Sequence, residues 1–293
     1  MRIAIGLPTR GRGVTAASLV EWAIRADQGP FSTLGVSDRV VTNAQEPLIA
    51  LAVAAGATRR IGLMTAVMLT PTHETTLLAR QAASLDALSG GRFSMGVGVG
   101  VRTDDYDVTG FDFHRRGALL EEQLATLRRI WAGEPAAEGI GPIGPAPARP
   151  GGPEVLIGGY LPVVARRVAA WGDGFMSPGG GDPEKMAALW RQIEAAWDAA
   201  GRSGRPRWVT GSYYSLGPRA EENADAYIQA SYGFSPDLVK RNRGNIPTTP
   251  QSLRDQIRRR EDMGATEYLL RPVVEDLTAL DELADAVASI ADA

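Results

Sequence analysis

The feature that most constrains the fold is a regular alternation of short apolar runs with longer segments of helical periodicity. The alternation occurs eight times along the 293 residues. Short apolar runs bounded by Gly or Pro are typical of strands, whereas apolar residues recurring every three or four positions are typical of helices. The predicted strands are residues 2–8, 31–37, 60–69, 92–100, 154–159, 174–180, 207–216 and 267–274. The predicted helices are residues 15–27, 46–57, 74–88, 116–132, 162–171, 183–200, 250–263 and 277–290.

Eight strand-helix units match a closed (β/α)8 barrel, although a doubly wound open sheet alternates in the same way. The glycine-rich segment "GGRFSMGVGVG" (residues 90–100) helps to distinguish the two, because a dinucleotide-binding turn needs glycine at its first, third and sixth positions. Frames opening at Gly96 or Gly98 place Val101 and Thr103 at the sixth position, so the segment does not match the dinucleotide-binding pattern of an open sheet. We therefore predict an α/β fold, a single (β/α)8 TIM-barrel domain over residues 1–293.

Two long connections interrupt the alternation. Residues 133–153 hold six prolines and six glycines, too many for regular structure, and they join a helix to the next strand at the bottom of the barrel. Residues 220–249 follow the seventh strand and include a predicted short helix at 220–229. This second insertion lies on the top face, where the loops after the strands build the active sites of such barrels.

Composition excludes several functions. The chain has no cysteine, so disulfides, iron-sulfur clusters and thiolate zinc sites are ruled out. Its net charge is -3 and its only basic block is residues 258–260, so nothing indicates nucleic-acid binding. No apolar run approaches the length of a membrane span or of a signal-peptide core. The acidic run at 104–107 could bind a metal, but we interpret it as a solvated loop. We expect a cytoplasmic protein without nucleic-acid, membrane or metal partners.

The glycine-rich fourth strand predicts free space at the top of the barrel. Alternate residues of a barrel strand point inward. If Met95 and Val97 face the helices, then Gly96, Gly98 and Gly100 face the barrel axis and leave room for a flat molecule. The alternative is that these glycines only ease strand curvature or close packing.

Two later loops are suited to a phosphate. Gly158 and Gly159 end the fifth strand, and a helix beginning at Pro162 directs its first free N–H groups toward the barrel top, where they can bind an anion. One unit later, Ser177 opens a second flexible turn at residues 177–181. A planar, phosphorylated cofactor would explain both the free space and the two loops.

Several segments together resemble the luciferase-like flavin and deazaflavin oxidoreductases, a family that includes bacterial luciferase and the coenzyme F420-dependent dehydrogenases and reductases. Two of them are "LARQAASLDALSGGRFSMGVGVG" and "LIGGYLPVVARRVAAWGDGFM". The full set is residues 35–40, 46–69, 78–100, 113–133 and 156–176. The resemblance therefore covers most of the chain.

The resemblance implies that the cofactor ring lies at the carboxyl ends of the strands, with its phosphate near Gly158, Gly159 and Ser177. It also implies a non-prolyl cis peptide at Ala66-Val67, against the face of the ring. The residues assigned to the cofactor are Ala66, Val67, Gly98, Gly100, Gly158, Gly159, Tyr160, Ser177, Pro178 and Gly179. The expected cofactor is coenzyme F420, and FMN is the alternative.

The chain departs from the sugar-phosphate dehydrogenase branch of this family at both acid-base positions. Arg39 stands in place of a histidine and Val101 in place of a carboxylate. We assign Arg39 a catalytic role, in which its fixed charge holds a substrate or cofactor oxygen. The alternative is an ion pair with Asp38 or Glu46. We assign His73, at the end of the loop after the third strand, a role as proton donor, and the alternative is a solvated loop histidine.

Three further cations are predicted to bind substrate. Arg271 ends the eighth strand, where a charged barrel residue usually meets a ligand or an internal carboxylate, and Lys240 and Arg243 belong to the top-face insertion. For the loop cations, the alternative is a hydrated loop.

The predicted helices at 46–57 and 74–88 are apolar on more than one face, which predicts a homodimer.

The function predicted from the sequence is a luciferase-like oxidoreductase that transfers hydride between coenzyme F420 and a small organic substrate. An FMN-dependent monooxygenase of the same family and a non-catalytic flavin or deazaflavin carrier are the alternatives. A cofactor-free lyase or hydrolase ranks last, because the predicted strand ends carry few carboxylates or lysines.

Overall fold

The structure, a computed structural model, describes residues 1–10, 14–178 and 182–291. Its barrel strands are β1 (Arg2–Gly6), β2 (Thr33–Val36), β3 (Gly62–Met68), β4 (Phe93–Val97), β7 (Glu154–Gly158), β8 (Gly174–Met176), β9 (Arg207–Tyr214) and β10 (Glu267–Pro272); β5 (Pro135–Ala137) and β6 (Ile140–Pro142) lie outside the barrel. The eight parallel barrel strands close in the order β1-β10-β9-β8-β7-β4-β3-β2. The predicted (β/α)8 barrel is confirmed, with every barrel strand inside or nearly inside a predicted run.

The helices begin where the sequence supplies caps. The Thr15 hydroxyl accepts a hydrogen bond from the Ser18 N–H in a capping box at the start of the first helix, and Asp182 and Thr249 cap two later helices whose first residue is proline. The helices are α1 (Ala16–Gln28), α2 (Pro47–Ala57), α3 (Thr75–Leu88), α4 (Thr103–Thr109), α5 (Arg116–Trp131), α6 (Val163–Trp171), α7 (Pro183–Ala199), α8 (Ala220–Tyr232), α9 (Pro236–Arg243), α10 (Pro250–Asp262) and α11 (Leu277–Ala291). Among the helices of the described ranges, none is long and apolar enough to cross a membrane.

Strand alternation divides the apolar core into two layers. Residues facing the helices form the larger layer, which includes Trp22, Phe93 and Met95. A smaller cluster fills the barrel interior, namely Ala4, Met64, Ala66, Leu156, Met176, Val209 and Leu269. Met95 and Val97 belong to the outer layer, as predicted, so the intervening Gly96 faces inward.

The lower end of the barrel is closed by an internal ion network. Arg207 pairs with both Glu154 and Glu267, and these three residues open their strands. Ser94 Oγ donates to Glu154 at 2.6 Å, and Thr33 Oγ1 donates to Glu267 at 2.7 Å. Each of these charged groups has a partner of opposite charge, so this end of the barrel is closed by paired ions, although Arg207 Nε itself has no hydrogen-bond partner among the described residues.

The insertions differ in part from the predictions. The Pro/Gly-rich residues 133–153 do lie between a helix and the next strand, but they contain regular structure, the antiparallel β5-β6 hairpin. The short hairpin tolerates proline because its strands need few backbone donors. The top-face insertion at 220–249 forms two helices, α8 and α9, rather than one.

The acidic run predicted to be a solvated loop forms most of α4. Asp105 of this run is 1% exposed and accepts hydrogen bonds from the Val40 and Val41 N–H groups. This carboxylate is therefore a buried anchor for the loop after β2.

Candidate active site

A cavity of about 400 Å³ opens at the carboxyl ends of the barrel strands. Cavities of this size are typical of small-molecule sites. The structure brings together nine of the ten residues predicted to hold the cofactor: Ala66, Val67, Gly98, Gly100, Gly158, Gly159, Tyr160, Ser177 and Pro178. The tenth, Gly179, lies outside the described residues.

Val67 forms one wall of this cavity. The Ala66-Val67 peptide is cis, as the family resemblance implies, and the β3-β4 register shifts between Thr65 and Met68. A Cβ atom at Gly98 would lie 2.7 Å from Val67 Cγ2, and one at Gly158 would lie 2.9 Å from Val67 Cγ1. Glycine at these positions therefore makes room for the valine side chain.

The inward glycines in β4 and directly after it serve two different purposes. A Cβ atom at Gly96 would overlap the carbonyl oxygen of Thr65, so this position is required for close packing of two strands. Gly98, in contrast, borders the cavity and Val67. Close packing therefore explains the glycine at position 96, and space at the cavity explains the glycine at position 98.

One side of the cavity is suited to an anion. Gly158, Gly159 and the start of α6 line it, and Gly159 has φ +144, a conformation that side chains disfavour. Ser177 directly follows β8 and also lines the cavity. Its Oγ accepts a hydrogen bond from Trp208 Nε1 at 3.0 Å, so the hydroxyl proton can still be donated to a ligand.

Two arginines on helices add positive charge beside these glycines. Arg116 and Arg167 line the cavity, and Arg167 also donates to Glu121 Oε1 at 3.0 Å. Arg116 lies 3.7 Å above the Phe113 ring and has no carboxylate partner within the described ranges. The glycine backbone, the helix start and two guanidinium groups together form an anion cradle, the name used below for this part of the cavity.

Arg271 lines the opposite part of the cavity, as expected for a residue at a barrel strand end. Its Nη2 donates to the Ala66 carbonyl at 2.8 Å. Gly211 on the neighbouring strand leaves room for it, since a Cβ atom there would lie 3.2 Å from Arg271 Nη1. In the part of the chain that the structure describes, no carboxylate lies within ion-pair distance of Arg271. Its role in binding substrate stays a prediction.

Arg39, predicted to act in catalysis, is not among the described residues that line the cavity. Its Nε lies 2.7 Å from Asp105 Oδ2, and its Nη2 lies 3.6 Å from Asp104 Oδ1. The structure therefore corrects the placement: Arg39 forms a rim ion pair, with α4 carboxylates rather than with Asp38 or Glu46. The fold of α4 brings Asp105 within reach, which the sequence pattern did not predict.

His73, predicted as a proton donor, also lies outside the cavity lining of the described residues. Its Nε2 is 2.9 Å from Asp38 Oδ2, and Asp38 Oδ2 also accepts from the Leu69 N–H at 2.9 Å. His73 therefore links the loop after β3 to Asp38, and its role as a proton donor stays a prediction.

The loop cations are placed differently from the prediction. Arg243 pairs with Glu221 and Asp225 of α8, and Lys240 is exposed on α9; neither lines the cavity. Asn242 of α9 and the nearby Asn245 line the cavity instead. The top-face insertion does cover the site, but it presents amides where cations were predicted.

Several lining residues were missed by sequence analysis. Arg116 and Arg167 were hidden because each sits in a helix, and a helical arginine is normally a surface residue. Tyr213 and Tyr232 also line the cavity. Tyr213 could have been found, because it has the same inward phase as Val209 and Gly211 on the predicted seventh strand.

The sequence matches the family model described as luciferase-like monooxygenase over residues 1–288. With the closed barrel and the site at its mouth, this shows that the chain belongs to the luciferase-like monooxygenase family, a family of oxidoreductases. The resemblance inferred from the sequence is confirmed.

Among curated relatives, an uncharacterised protein of Mycobacterium tuberculosis is 33% identical over 215 residues, which is 63% of this chain and 74% of the relative. An F420-dependent glucose-6-phosphate dehydrogenase of Kribbella flavida is 30% identical over 199 residues, 61% of this chain and 58% of the relative. A solved F420-dependent secondary alcohol dehydrogenase, holding an F420-acetone adduct, aligns with a TM-score of 0.80 at 17% identity over 99% of both chains. Monooxygenases are also among the solved structures of similar fold, one of them with FMN.

Proposed function

We propose that this protein is an oxidoreductase that transfers hydride between coenzyme F420 and a small organic substrate. The observation that carries the proposal is the cavity at the barrel mouth, in which a narrow space beside Val67 adjoins the anion cradle. A planar ring joined to a phosphate fits such a pair of features, and few other ligands need both.

The residues present fit a flavin-type group. Gly158, Gly159 and Ser177 would hold the phosphate with backbone N–H groups and a hydroxyl, and Arg116 and Arg167 would neutralise its charge. Residues 66–67 and Gly98 would border the ring. When bound, the ring supplies the hydride acceptor or donor, and the protein supplies position, electrostatics and exclusion of water.

F420 is preferred to FMN because a relative at 30% identity is F420-dependent. The family description as a monooxygenase supports the alternative, an FMN-dependent enzyme that activates oxygen. The two cofactors can be told apart chemically, because reduced FMN reacts readily with oxygen and the reduced deazaflavin does not.

The test is a titration of the apo-protein with F420 and with FMN, followed by calorimetry or cofactor fluorescence. Tighter binding of F420 than of FMN is the expected result. Tighter binding of FMN, with oxygen uptake after reduction, would favour the monooxygenase. Failure to bind either cofactor would overturn the proposed function.

A non-catalytic cofactor carrier is the second candidate, because the two acid-base positions of the sugar-phosphate dehydrogenase branch hold Arg39 and Val101. The decisive measurement is turnover with reduced F420 and a panel of short ketones and aldehydes. A rate above that of the free cofactor excludes the carrier.

We also propose that the protein is a homodimer. Helix α2 buries Leu48 and Leu51 against the barrel while Ile49 and Val53 remain exposed, and Leu77 of α3 is exposed beside them at 58%. An apolar surface on adjacent helices is suited to a second copy of the chain. Light scattering should give twice the 31.1 kDa monomer mass; a monomer at micromolar concentration would contradict the dimer.

A further inference from the structure

The cavity is poor in groups that can exchange a proton. Its described lining includes no aspartate, glutamate, histidine or lysine. The cations there are arginines, which stay protonated at any working pH. The remaining titratable groups are Tyr160, Tyr213 and Tyr232. Addition of hydride to a carbonyl carbon requires a proton at the oxygen, and removal of hydride from an alcohol carbon releases that proton, so the choice is among these tyrosines and water.

Tyr213 has the most suitable position of the three. Tyr160 is 56% exposed on the loop before α6, and Tyr232 belongs to α8. Tyr213 is in a barrel strand, and its Cα is the register partner of the Arg271 Cα on β10. Its ring packs against Tyr227 with centroids 4.7 Å apart, and its hydroxyl lies 3.5 Å from the Tyr232 hydroxyl. The barrel therefore fixes this side chain beside an arginine.

The charge around Tyr213 favours ionisation. Burial by itself raises the pKa of Tyr213, but the nearby Arg271 charge, the hydroxyls of Tyr232 and Tyr227 and the more distant Arg10 outweigh it and bring the pKa below its usual value. Burial raises the pKa of Tyr232 and of Tyr227 instead. Of the three tyrosines of this cluster, Tyr213 is the one held in strand register with Arg271.

We propose that Tyr213 is the proton donor of this site, with Arg271 stabilising the tyrosinate. The inference rests on the proposed function. In the direction of carbonyl reduction, a bound cofactor would supply the hydride for the new C–H bond, and the electron pair of the C=O π bond would move to oxygen. That oxygen takes the proton from Tyr213 Oη as the O–H bond of the tyrosine breaks. In alcohol oxidation, the same proton returns to the tyrosinate.

A second, smaller cavity provides a path for reprotonation. It has a volume of about 40 Å³, enough for a few water molecules, and Tyr213 and Arg271 line both cavities. Its far wall includes Arg10 and Glu275, and the Arg10 N–H donates to Glu275 Oε2 at 3.1 Å. Burial raises the pKa of Glu275, which suits a group that passes protons between water and the tyrosine.

The first test needs neither cofactor nor substrate. Tyrosinate formation in the apo-protein is followed by ultraviolet difference absorbance as pH rises. Wild type is expected to ionise one tyrosine at a pH below the ordinary value near 10. Tyr213→Phe, which keeps the ring packed on Tyr227, should remove that early step. The matched control Tyr160→Phe should keep it, because this substitution on an exposed loop leaves both Tyr213 and Arg271 in place. An early step that survives in Tyr213→Phe, or is absent from wild type, overturns the proposal.

The second test uses F420 and short ketones. Tyr213→Phe should lower kcat by about 100-fold or more, the usual contribution of a general acid, while the Kd of F420 stays the same. The residual activity should show a larger solvent isotope effect, since water then supplies the proton. A kcat within about threefold of wild type overturns the proposal. If wild type binds no cofactor, the proposed function fails, and the tyrosine titration still tests the ionisation of Tyr213. If wild type binds the cofactor but reduces none of the ketones, the tyrosine titration alone tests the proposal for Tyr213.

Discussion

The two ends of the barrel each contain an inward arginine, and the two arginines have opposite surroundings. Arg207, at the start of β9, pairs with two glutamates. Arg271, at the end of β10, donates to the Ala66 carbonyl and has no carboxylate partner among the described residues. Since a buried charge is normally neutralised, an arginine left without a counter-ion at the open end indicates a place for a negative charge from elsewhere.

The same contrast holds for the surrounding side chains. At the lower end, Ser94 and Thr33 complete the hydrogen bonds of the glutamates, and the barrel is filled. At the upper end, Gly98 and Gly211 give space to Val67 and Arg271, and a cavity remains. The lower end of the barrel is filled and stabilises the fold. The upper end has a positive charge and free volume that can accommodate a ligand.

Removing the lower arginine should have the largest effect. Arg207→Leu leaves Glu154 and Glu267 without their main counter-charge, so the free energy of unfolding should fall by about 3 to 5 kcal/mol. Urea unfolding measures it, and a loss below about 1 kcal/mol would show that the hydroxyl partners suffice. If this variant does not fold, Arg207→Lys provides a milder form of the same test.

Removing the upper arginine should affect chemistry more than stability. Arg271→Leu loses one hydrogen bond, worth about 1 kcal/mol, but also removes a charge with no counter-ion, so unfolding should change by about 1 kcal/mol or less. The ionisation of Tyr213 should move to higher pH, because the nearest positive charge is gone. Ultraviolet titration of the apo-protein checks this shift. A stability loss as large as that of Arg207→Leu would contradict the contrast between the two ends.

Acid should weaken the lower end through Glu267. Burial raises the pKa of Glu267, but Arg207, the Ser32 and Thr33 hydroxyls and Arg2 outweigh it and lower that pKa. A lowered folded pKa means that the stabilisation is complete above the unfolded value of about 4.3 and is lost as pH falls through the folded value.

The stability of wild type should therefore decline below about pH 4.3, and the gap between wild type and Arg207→Leu should narrow over the same interval. Urea unfolding at descending pH measures both curves. A gap that stays constant would mean that Glu267 is not the group responsible.

The smallest effect is expected outside the barrel, at Arg243. Its partners Glu221 and Asp225 are 68% and 65% exposed, so Arg243→Ala should cost about 1 kcal/mol or less. The Kd of F420 should be unchanged within about twofold, since Asn242, not Arg243, lines the cavity. A tenfold weaker Kd would instead restore the role predicted from the sequence.

Local patterns were enough to predict the barrel and much of the cavity. Strand and helix periods and the inward phase of Gly98 depend on residues close in sequence, and these predictions are confirmed by the structure. Long-range pairings were not predictable. Arg39 meets Asp105 only because α4 folds over the loop after β2, and the acidic run that forms α4 shows no clear apolar stripe. The placement of Arg116 depends on how one helix packs beside another.

The α8-α9 insertion has a hydrophobic cluster of its own, centred on Ala224, Ile228 and Ile246. Tyr213, at the barrel mouth, packs against that cluster. Substitutions in residues 220–249 can therefore alter the entrance and its selectivity while the eight strands and the anion cradle keep their packing. Within this architecture, the cover can change in evolution while the barrel beneath it is retained.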